Sequence, residues 1–308
     1  VLDPENVEAL ARYVGRIQAH PAVARVESIV SLDPRFTLDQ YRLMYANPQR
    51  IADSYVQAAV ASSVADDVTV IRVISRAPMT DPRSYELVGA LRNSRPAEFE
   101  VLVDGGSAGV VDYVNTLAHD FPLAALAIML TTGLVLLVLL RSLLLPLKAI
   151  VMNLFSILAS YGALVWVFQQ GYLSQLLGVA PLGFVEASIP VIMFCTLFGL
   201  SMDYEVFLLS RIQEAYQQSG DNALAVAEGL ERSGRIITSA ALIVIVVSLS
   251  FLSAEMVLVK ALGLGIAIAV ALDATLVRGL LVPATMRLLG DLNWWLPSSL
   301  SRLLPPVQ

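Results

Sequence analysis

Two acidic residues and a tyrosine interrupt an apolar run near the middle of the chain. The stretch FCTLFGLSMDYEVFLLSR, residues 194–211, places Asp203, Tyr204 and Glu205 near the inner end of a segment that is otherwise suited to lipid. An ionised side chain inside a membrane costs several kcal/mol, and intramembrane acids commonly mark ion and proton pathways. A carboxyl group there can take up and release a proton, and a neighbouring phenol can bond to it or pass the proton on. The pattern therefore predicts a proton-relay site at Asp203 and Tyr204.

Helical spacing separates the two carboxylates. Asp203 shares a helix face with Gly199, which lets a neighbouring helix approach closely, so we expect Asp203 to face the interior of a helix bundle. Glu205 points elsewhere, because residues two apart on a helix are not neighbours. We expect Glu205 to form a structural ion pair with Arg211 at the inner surface. An alternative pair between Asp203 and Arg211 is weakened by distance, since eight residues of helix span about 12 Å.

A second acid, Asp273, lies in the apolar stretch GIAIAVALDATLVR. Small residues precede it, and Gly263 and Gly265 suit tight helix packing better than exposure to lipid. Asp273 is therefore a candidate second carboxylate of the proton relay. A local ion pair with Arg278, five positions further on, is an equally good interpretation of the same pattern.

Ser239 is the remaining candidate for the relay, because a hydroxyl in a membrane span can pass a proton to a neighbour. Such hydroxyls often bond only to a carbonyl of their own helix. No cofactor or metal site is predicted, since His20 and His119 are far apart and Cys195 is the one cysteine. The sequence also has no Walker motif, which argues against ATP hydrolysis.

Long apolar elements must hold these residues. The chain has 308 residues, of which 56% are hydrophobic and 15% charged, and its mean hydropathy is +0.70. In soluble domains about a quarter of the residues are charged. A net charge of −6 argues against a nucleic-acid partner. Five stretches approach the roughly 20 residues that a helix needs to cross a bilayer. They are 121–140, 147–168, 187–210, 236–254 and 261–283.

Charged residues are concentrated before the first of these spans. Residues 1–118 alternate helical patterns such as DPENVEALARYVGRIQ with strand patterns such as FEVLVDGG. They predict an α+β module that lacks a first strand before Val1. Residues 119–290 are predicted to form a bundle of five transmembrane helices, with a cytoplasmic amphipathic helix near 213–233. Residues 291–308 are predicted to be a cytoplasmic tail.

The connecting loops predict the orientation of the chain. The link after the first span carries Arg141 and Lys148, and the link after the third carries Arg211, Arg232 and Arg235, whereas the opposite loop QQGYLSQLLGVAPLGFVEA has neither Lys nor Arg. Basic loops stay in the cytoplasm, so the N-terminal module is expected to be extracytoplasmic. The sequence thus predicts a multi-pass membrane protein.

Three motifs resemble the C-terminal half of MMPL-family transporters, a branch of the RND superfamily. They are FGLSMDYEVFLLSRIQEAY, SGRIITSAALIV and LGLGIAIAVALDATLVRGLLVPATMRLLGDLNWWLP, and they cover most of residues 190–297 in the family's order. The resemblance implies a full-length protein of two similar halves, each with an external porter module of ferredoxin-like type. This chain would supply the second half without its leading span, so we expect it to be a piece of a longer protein.

The resemblance also implies a function. Members of the family export lipids, glycolipids or hydrophobic drugs, driven by proton entry, and their Asp-Tyr proton-relay pair corresponds to Asp203 and Tyr204. The first half normally supplies a matching pair. The implied partners are the N-terminal half of the transporter, a lipid or other hydrophobic substrate, protons and membrane lipids. The chain is accordingly expected to belong to a secondary active transporter and not to an enzyme.

Alternatives to lipid export stay open at the level of sequence. Within the superfamily, the same fold also suits sterol or hopanoid movement, or assistance to protein export. A different class is a non-transporting lipid sensor, or a scaffold of an envelope-assembly complex, and dependence on protons distinguishes this class from a transporter. A membrane enzyme is disfavoured, because the predicted spans contain no histidine and no serine in a nucleophile-elbow setting.

Overall fold

The computed structural model divides the chain into two compact units, Val1–Leu117 and Ala118–Gln308. The first unit contains helices and short strands, and the second consists of long apolar helices. The structure describes residues 1–47, 51, 53–94, 96–178 and 183–298.

In the described residues before Gly106, four helices form the α part of the first unit. They are α1 (Pro4–Gln18), α2 (Leu38–Tyr45), α3 (Ser54–Ser63) and α4 (Pro82–Asn93). The side chains of Thr37, Asp53 and Asp81 accept hydrogen bonds from first-turn amides of α2, α3 and α4, which satisfies donors that a helix leaves unpaired at its start. α1 lies within the predicted helical pattern DPENVEALARYVGRIQ, begins at Pro4 and buries Leu10 on its inner face.

The strands of the first unit are short and form two small sheets. They are β1 (Val23–Glu27), β2 (Val64–Ala65), β3 (Val68–Thr69) and β4 (Arg72–Ser75). β1 pairs antiparallel with β4, with Val26 opposite Val73, and β2 pairs antiparallel with β3. The strand predicted within FEVLVDGG is wrong for the described residues, because 99–104 pair with no other strand there. The unit is thus α+β, and its ferredoxin-like arrangement stays a prediction.

Among the residues that the structure describes, five helical segments are long and apolar enough to cross a membrane, which confirms the predicted number of spans. They are Gly106–Leu140, Leu144–Gln169, Ser188–Ser219, Asn222–Ser253 and Val257–Trp294. Their α-helical parts, with a short helix α7 after the second span, are α5 (Gly106–Leu140), α6 (Leu144–Leu164), α7 (Ser174–Leu177), α8 (Ser188–Ser219), α9 (Asn222–Ser250), α10 (Val257–Leu272) and α11 (Val282–Leu289).

Two of the spans contain π-helical turns. Val165–Gln169 ends the second span, and Asp273–Leu281 joins α10 to α11 in the fifth. In a π turn each hydrogen bond joins residues five apart. Such turns are rare in proteins, and those that occur are often at functional sites. The longer of the two segments begins at one of the predicted site residues.

α8 and α9 form a helical hairpin in place of the separate amphipathic helix predicted near 213–233. Gly220 ends α8 with φ +67°, a left-handed conformation that glycine adopts without strain. The side chain of Asp221 then caps α9. A Cβ atom on Gly229 would lie 3.0 Å from the Cα atom of Ile212, so the two helices touch closely. The predicted amphipathic helix is wrong because its residues are the ends of two long helices.

The last described turn closes the end of the bundle. A 3₁₀ turn, Gly290–Trp294, follows α11. Trp294 stacks on Tyr216 with ring centroids 4.3 Å apart, and its Nε1 donates to Oδ1 of Asn222 at 3.1 Å. Residues 299–308 of the predicted cytoplasmic tail lie outside the described residues.

Candidate functional site

The two carboxylates on α8 have opposite environments. Asp203 is exposed, whereas Glu205 is only 4% exposed. Two positions of helix rotate a side chain by about 200°, so one carboxylate faces out when the other faces in. The residues that form the buried row with Glu205 are Met193, Leu197, Ser201, Leu208 and Ile212. The prediction that Asp203 faces the interior of the bundle is therefore wrong for the bundle formed by this chain.

The predicted ion pair between Glu205 and Arg211 is also wrong. Arg211 pairs with Glu214 at 2.9 Å and lies over the ring of Phe207 at 5.6 Å. Six positions of helix turn Arg211 away from Glu205 by about 120°. Glu205 stays in the bundle, and its Oε1 has no hydrogen-bond partner among the described residues.

A buried polar cluster links the fifth span to α8. The carboxylate of Asp273 lies 2.5 Å from Nη2 of Arg278, and both residues are buried. The hydroxyl of Ser201 donates to Asp273 at 2.9 Å, and Arg278 donates to the carbonyl of Ser201 at 2.7 Å. The guanidinium of Arg278 also lies over the ring of Tyr204, 5.1 Å from its centroid. The ion pair considered for Asp273 is thus formed, and it contacts Ser201 and Tyr204 of the motif FGLSMDYEVFLLSRIQEAY.

The π-helical segment explains how Asp273 reaches Arg278. The two residues are five positions apart, which on a regular α-helix would place them about 140° from each other. Asp273–Leu281 is π-helical, and its hydrogen bonds join residues five apart. The same segment therefore brings the carboxylate and the guanidinium to one face, directed at α8.

Lys148 is a buried charge that the sequence pattern does not reveal. The pattern of basic loops assigns it to the first cytoplasmic loop, but it lies in the first turns of α6 and is 8% exposed. Its Nζ has no hydrogen-bond partner among the described residues, and it interacts electrostatically with Glu205. Glu205 also interacts with Arg278 and Asp273. The uninterrupted apolar helix that follows this lysine is the signal that could have identified it.

A small cavity adjoins the Asp273–Arg278 pair. Its volume is about 10 Å³, close to the space that one water molecule needs. Its polar lining residues are Asn153, Ser156, Ser201, Tyr204, Asp273 and Arg278. Oδ1 of Asn153 and Oγ of Ser156 are buried without a hydrogen-bond partner among the described residues. The polar lining suits a single bridging water, which would extend the hydrogen-bonded network of the cluster.

The buried cluster contains four ionisable side chains. Two acids, Glu205 and Asp273, and two bases, Lys148 and Arg278, are buried together, so the formal charges balance. Adding a proton to either acid would leave one positive charge without its counterpart, which is costly in a low-dielectric interior. In the part of the chain that the structure describes, no group of three His, Cys, Asp or Glu side chains is placed to hold a metal ion.

Ser239 lies outside this cluster. Its side chain is exposed, and its hydroxyl donates to the carbonyls of Arg235 and Ile236 on its own helix. This is the common arrangement of a serine in a membrane helix. The structure does not bring Ser239 together with Asp273.

The three glycines predicted to pack helices differ. A Cβ atom on Gly263 would lie 2.5 Å from the carbonyl oxygen of Ser248, and one on Gly265 would lie 2.6 Å from Cε of Met193. Both glycines therefore allow close helix contacts. A Cβ atom on Gly199 would meet nothing within 4 Å, so this glycine packs against no described neighbour.

An exposed stripe of small and polar residues runs along α8. It comprises Cys195, Thr196, Gly199 and Asp203, all exposed and all at helical spacing. Lipid-facing positions favour large apolar side chains, whereas small residues and a carboxylate are typical of helix interfaces and polar pathways. We call Cys195, Thr196, Gly199 and Asp203 the α8 stripe.

A sequence model of one family matches almost the whole chain. The MMPL family model covers residues 8–304. The chain belongs to the MMPL family. This agrees with the resemblance of its three motifs, and MMPL proteins named as transporters are among its relatives.

Several curated MMPL proteins are similar to the chain. It is 40% identical over 256 residues to the mycolic acid-containing lipids exporter MmpL11 of Mycolicibacterium smegmatis, covering 82% of the chain and 27% of the relative. It is 43% identical over 208 residues to the heme uptake protein MmpL11 of Mycobacterium tuberculosis, covering 68% of the chain and 21% of that relative. It is 37% identical over 234 residues to the trehalose monomycolate exporter MmpL3 of Mycolicibacterium smegmatis, covering 76% of the chain and 23% of that relative.

The chain spans only about a quarter of the length of these MMPL relatives. Its five apolar helices and its family describe a multi-pass bacterial membrane protein.

Proposed function

We propose that this chain is part of the second half of a proton-driven exporter of lipids or other hydrophobic molecules. Membership of the MMPL family carries the proposal, since two relatives are named as exporters of mycolic acid-containing lipids and of trehalose monomycolate. A relative named as a heme uptake protein favours heme as a second candidate cargo.

In this proposal the α8 stripe meets the N-terminal half of the transporter. Asp203 is exposed in this chain although it lies in an apolar span, and Gly199 leaves open space beside it. A partner helix that carried a matching Asp-Tyr pair would satisfy the carboxylate and fill that space. Asp203 and Tyr204 would then act as a proton relay at the junction of the two halves.

The buried cluster connects the relay with the fifth span. Tyr204 follows Asp203 directly, and its ring lies under the guanidinium of Arg278, which pairs with Asp273. We propose that protonation of Asp203 changes the partners of Tyr204 and thereby the position of Arg278. Asp273 would be the second carboxylate of the relay, with its ion pair serving to hold the resting state. A shift between α8 and the fifth span would follow, as alternating access requires.

The first unit would be the extracytoplasmic porter module. Its α+β content agrees with a ferredoxin-like subdomain, and the basic loops after spans one and three would be cytoplasmic by the positive-inside rule. The carried substrate would then move through the external modules and would not touch Asp203.

Replacing Asp203 by Asn in the full-length protein tests this function. The protein is produced in a strain that lacks its gene, and surface lipids are profiled with and without a protonophore. The wild-type protein should restore export, and the protonophore should abolish this restored export. The Asp203→Asn variant, expressed at the same level, should not restore export. Glu231→Gln, at an exposed acid on α9, is the matched control and should behave as wild type.

The outcomes separate the function classes. Export that survives both Asp203→Asn and the protonophore would contradict proton drive. Surface lipids unchanged by deletion of the gene, with envelope assembly impaired, would favour the sensor or scaffold class. Growth on heme as an iron source, lost on deletion while surface lipids stay unchanged, would favour the second cargo.

A further inference from the structure

Polar side chains lie along the buried side of α6. Four of them are at most 8% exposed, although the span is apolar. They are Lys148, Asn153, Ser156 and Ser160. The hydroxyl of Ser160 donates to the carbonyl of Gly265 at 2.8 Å, so a neighbouring helix satisfies it. We call the remaining three residues, Lys148, Asn153 and Ser156, the α6 row. Polar groups inside a membrane span are costly and commonly mark an ion or proton pathway.

The register of α6 against α8 places this row beside the buried acid of α8. Two side chains of α6 donate hydrogen bonds to carbonyls of α8, Asn153 to Phe198 at 3.4 Å and Tyr161 to Pro190. The two donors and the two acceptors are equally far apart and in opposite order, as in antiparallel helices. The same register, continued towards the start of α6, places Lys148 within one turn of Glu205.

Unsatisfied polar atoms are concentrated between these helices. In the part of the chain that the structure describes, seven buried side-chain polar atoms have no hydrogen-bond partner, and five of them belong to the α6 row, Glu205 and Arg278. The five include the donors Nζ of Lys148 and Nε of Arg278, and the acceptors Oε1 of Glu205 and Oδ1 of Asn153. A buried polar atom without a partner is costly. A cation would satisfy only the acceptors and an anion only the donors, whereas water both donates and accepts.

The spacing along α8 suits bridging water. Ser201 donates to Asp273 at 2.9 Å and lies one helical turn before Glu205, or about 6 Å along the axis. A water molecule that bonds to two groups spans about 5–6 Å. The small cavity beside Asp273, which Asn153 and Ser156 line, has room for one water. A second water one turn further along α8 would reach Glu205.

We propose that water binds along the α6 row and joins Asp273 to Glu205, and that this path is the inner arm of the proton relay. The role of the path rests on the proposed function. The carboxyl of Asp273 gives its proton to a bridging water, and that water gives another proton to the carboxylate of Glu205, so the water is regenerated. Glu205 then releases the proton towards the start of α6, which is the cytoplasmic end in the proposed topology.

Lys148 is a positioning residue in this path. The charged groups that face Glu205 are Lys148 from α6 and Asp273 and Arg278 from the fifth span. α9 also packs on α8, but its described residues contribute no buried charge. Lys148 keeps its own proton, and its positive charge balances the carboxylate that forms when Glu205 releases the transferred one. Because one extra proton stays in the cluster during the transfer, the total charge there does not change.

Radical labelling of the full-length protein tests whether water binds along the row. A brief X-ray pulse converts bound water into hydroxyl radicals, which modify the side chains beside it, and mass spectrometry measures the modification. Ile157 lines the cavity and is only 2% exposed, and the equally buried Ile212 on α8 is the matched control outside it. Ile157 should be labelled several-fold more than Ile212. Asn153→Leu, which replaces the amide by an apolar group, should remove this excess.

Proton entry into vesicles tests the role of the path. The full-length protein is reconstituted with lipids of the producing strain, and an enclosed pH-sensitive dye follows proton entry down an imposed pH gradient. The double variant Lys148→Met/Glu205→Leu keeps the buried charges balanced and should unfold near the wild-type midpoint. It should nevertheless lower proton entry by more than about tenfold, because the carboxyl that carries the proton is gone. Ser156→Ala should lower entry several-fold, whereas Ser160→Ala, on the same side of α6, should behave as wild type.

The two measurements separate this proposal from the proposed function. Labelling of Ile157 no higher than that of Ile212 would overturn water binding. Proton entry that is unchanged in the double variant but lost in Asp203→Asn would overturn the inner arm and leave the proposed function standing. Absence of proton entry in the wild-type protein would contradict both roles, and labelling would still decide whether water binds. If the double variant does not fold, Glu205→Gln replaces it, and unchanged entry in that variant overturns the inner arm.

Discussion

Asp273 and Arg278 form a 2.5 Å ion pair within one π-helical segment of the fifth span, and the pair is directed at Ser201 and Tyr204 of α8. The pair thus connects two spans whose contacting residues, Ser201 and Asp273, are 72 positions apart in the sequence. Nη2 of Arg278 makes the polar contacts with Asp273 and Ser201, and the guanidinium lies over the ring of Tyr204, whereas Nε has no hydrogen-bond partner among the described residues.

Replacing Arg278 by Gln should strongly destabilise the helix bundle. The change leaves the carboxylate of Asp273 buried without its counter-charge, which typically costs about 3–5 kcal/mol. Arg278→Lys should rescue only part of this loss, because an ammonium that donates to Ser201 cannot also place a planar group over the ring of Tyr204. Thermal unfolding in detergent measures the effect, with exposed Arg232→Lys as control. An Arg278→Lys variant as stable as wild type would contradict the importance of those contacts.

Lys148 and Glu205 should behave as a coupled pair in a double-mutant cycle. Either Lys148→Met or Glu205→Leu alone leaves one buried charge uncompensated and should lower stability by about 3–5 kcal/mol. The double variant should recover most of the loss, because the two charges interact and two apolar side chains suit the interior. Unfolding of the four proteins in the same detergent gives the coupling free energy. Additive losses would show that the two residues act independently.

Alanine at Gly263 and at Gly199 should have opposite effects on stability in this chain. A Cβ atom on Gly263 meets the carbonyl oxygen of Ser248 at 2.5 Å and Cβ of Phe251 at 2.6 Å, so the helices must separate. Overpacking of this kind costs about 1–3 kcal/mol. A Cβ atom on Gly199 meets nothing within 4 Å, so Gly199→Ala should stabilise the helix by up to about 1 kcal/mol. The unfolding midpoints of the two variants check both signs.

Cys195 should report whether the α8 stripe is covered in the full-length protein. Its thiol is exposed in this chain and should react readily with a small maleimide in detergent. In the full-length protein the same thiol should react much more slowly, as followed by mass spectrometry of its peptide. Ala261→Cys, at a position only 2% exposed, should be unreactive in both proteins. Equal reactivity of Cys195 in both would mean that the N-terminal half does not cover the stripe.

The start of α4 should lose protection in acid. The side chain and amide of Arg83 bond to Asp81 and lower the pKa of that carboxyl from 3.8 to about 2. The stabilisation is therefore complete above about pH 4, where the unfolded carboxyl is ionised, and is lost as the pH falls towards about 2. Asp81→Ala should reduce amide protection in the first turn of α4 several-fold near neutral pH and have little effect in strong acid. Glu86→Ala, at an exposed acid on the same helix, should show no such pH dependence.

The five spans could be predicted because a membrane helix is defined by length and composition, which one sequence records directly. Which side of α8 faces the bundle could not be predicted. The apolar residues of α8 lie all around the helix, so their periodicity does not show which of Asp203 and Glu205 is buried. The choice is made by neighbouring helices, which pack Met193, Leu208 and Ile212 inward.

Lys148 and residues 99–103 show two other limits of sequence reasoning. Lys148 follows the loop motif RSLLLP closely and is the second residue of the predicted span 147–168, so only the packing of α6 shows that it is buried. Residues 99–103 have the alternation of a strand, but a strand also needs a partner, and no described strand supplies one. Local pattern alone therefore cannot establish pairing.

The π-helical segment Asp273–Leu281 also fixes the phase of the two parts of the fifth span. One residue added or removed there would rotate α11 by about 100° relative to α10. Val282 and Met286, both fully buried, would turn out of their contacts, and the carbonyl of Met286 would leave the side-chain amide of Asn222. The length of this segment is thus constrained independently of its charges, so related chains should keep the spacing of acid and arginine even where the flanking residues differ.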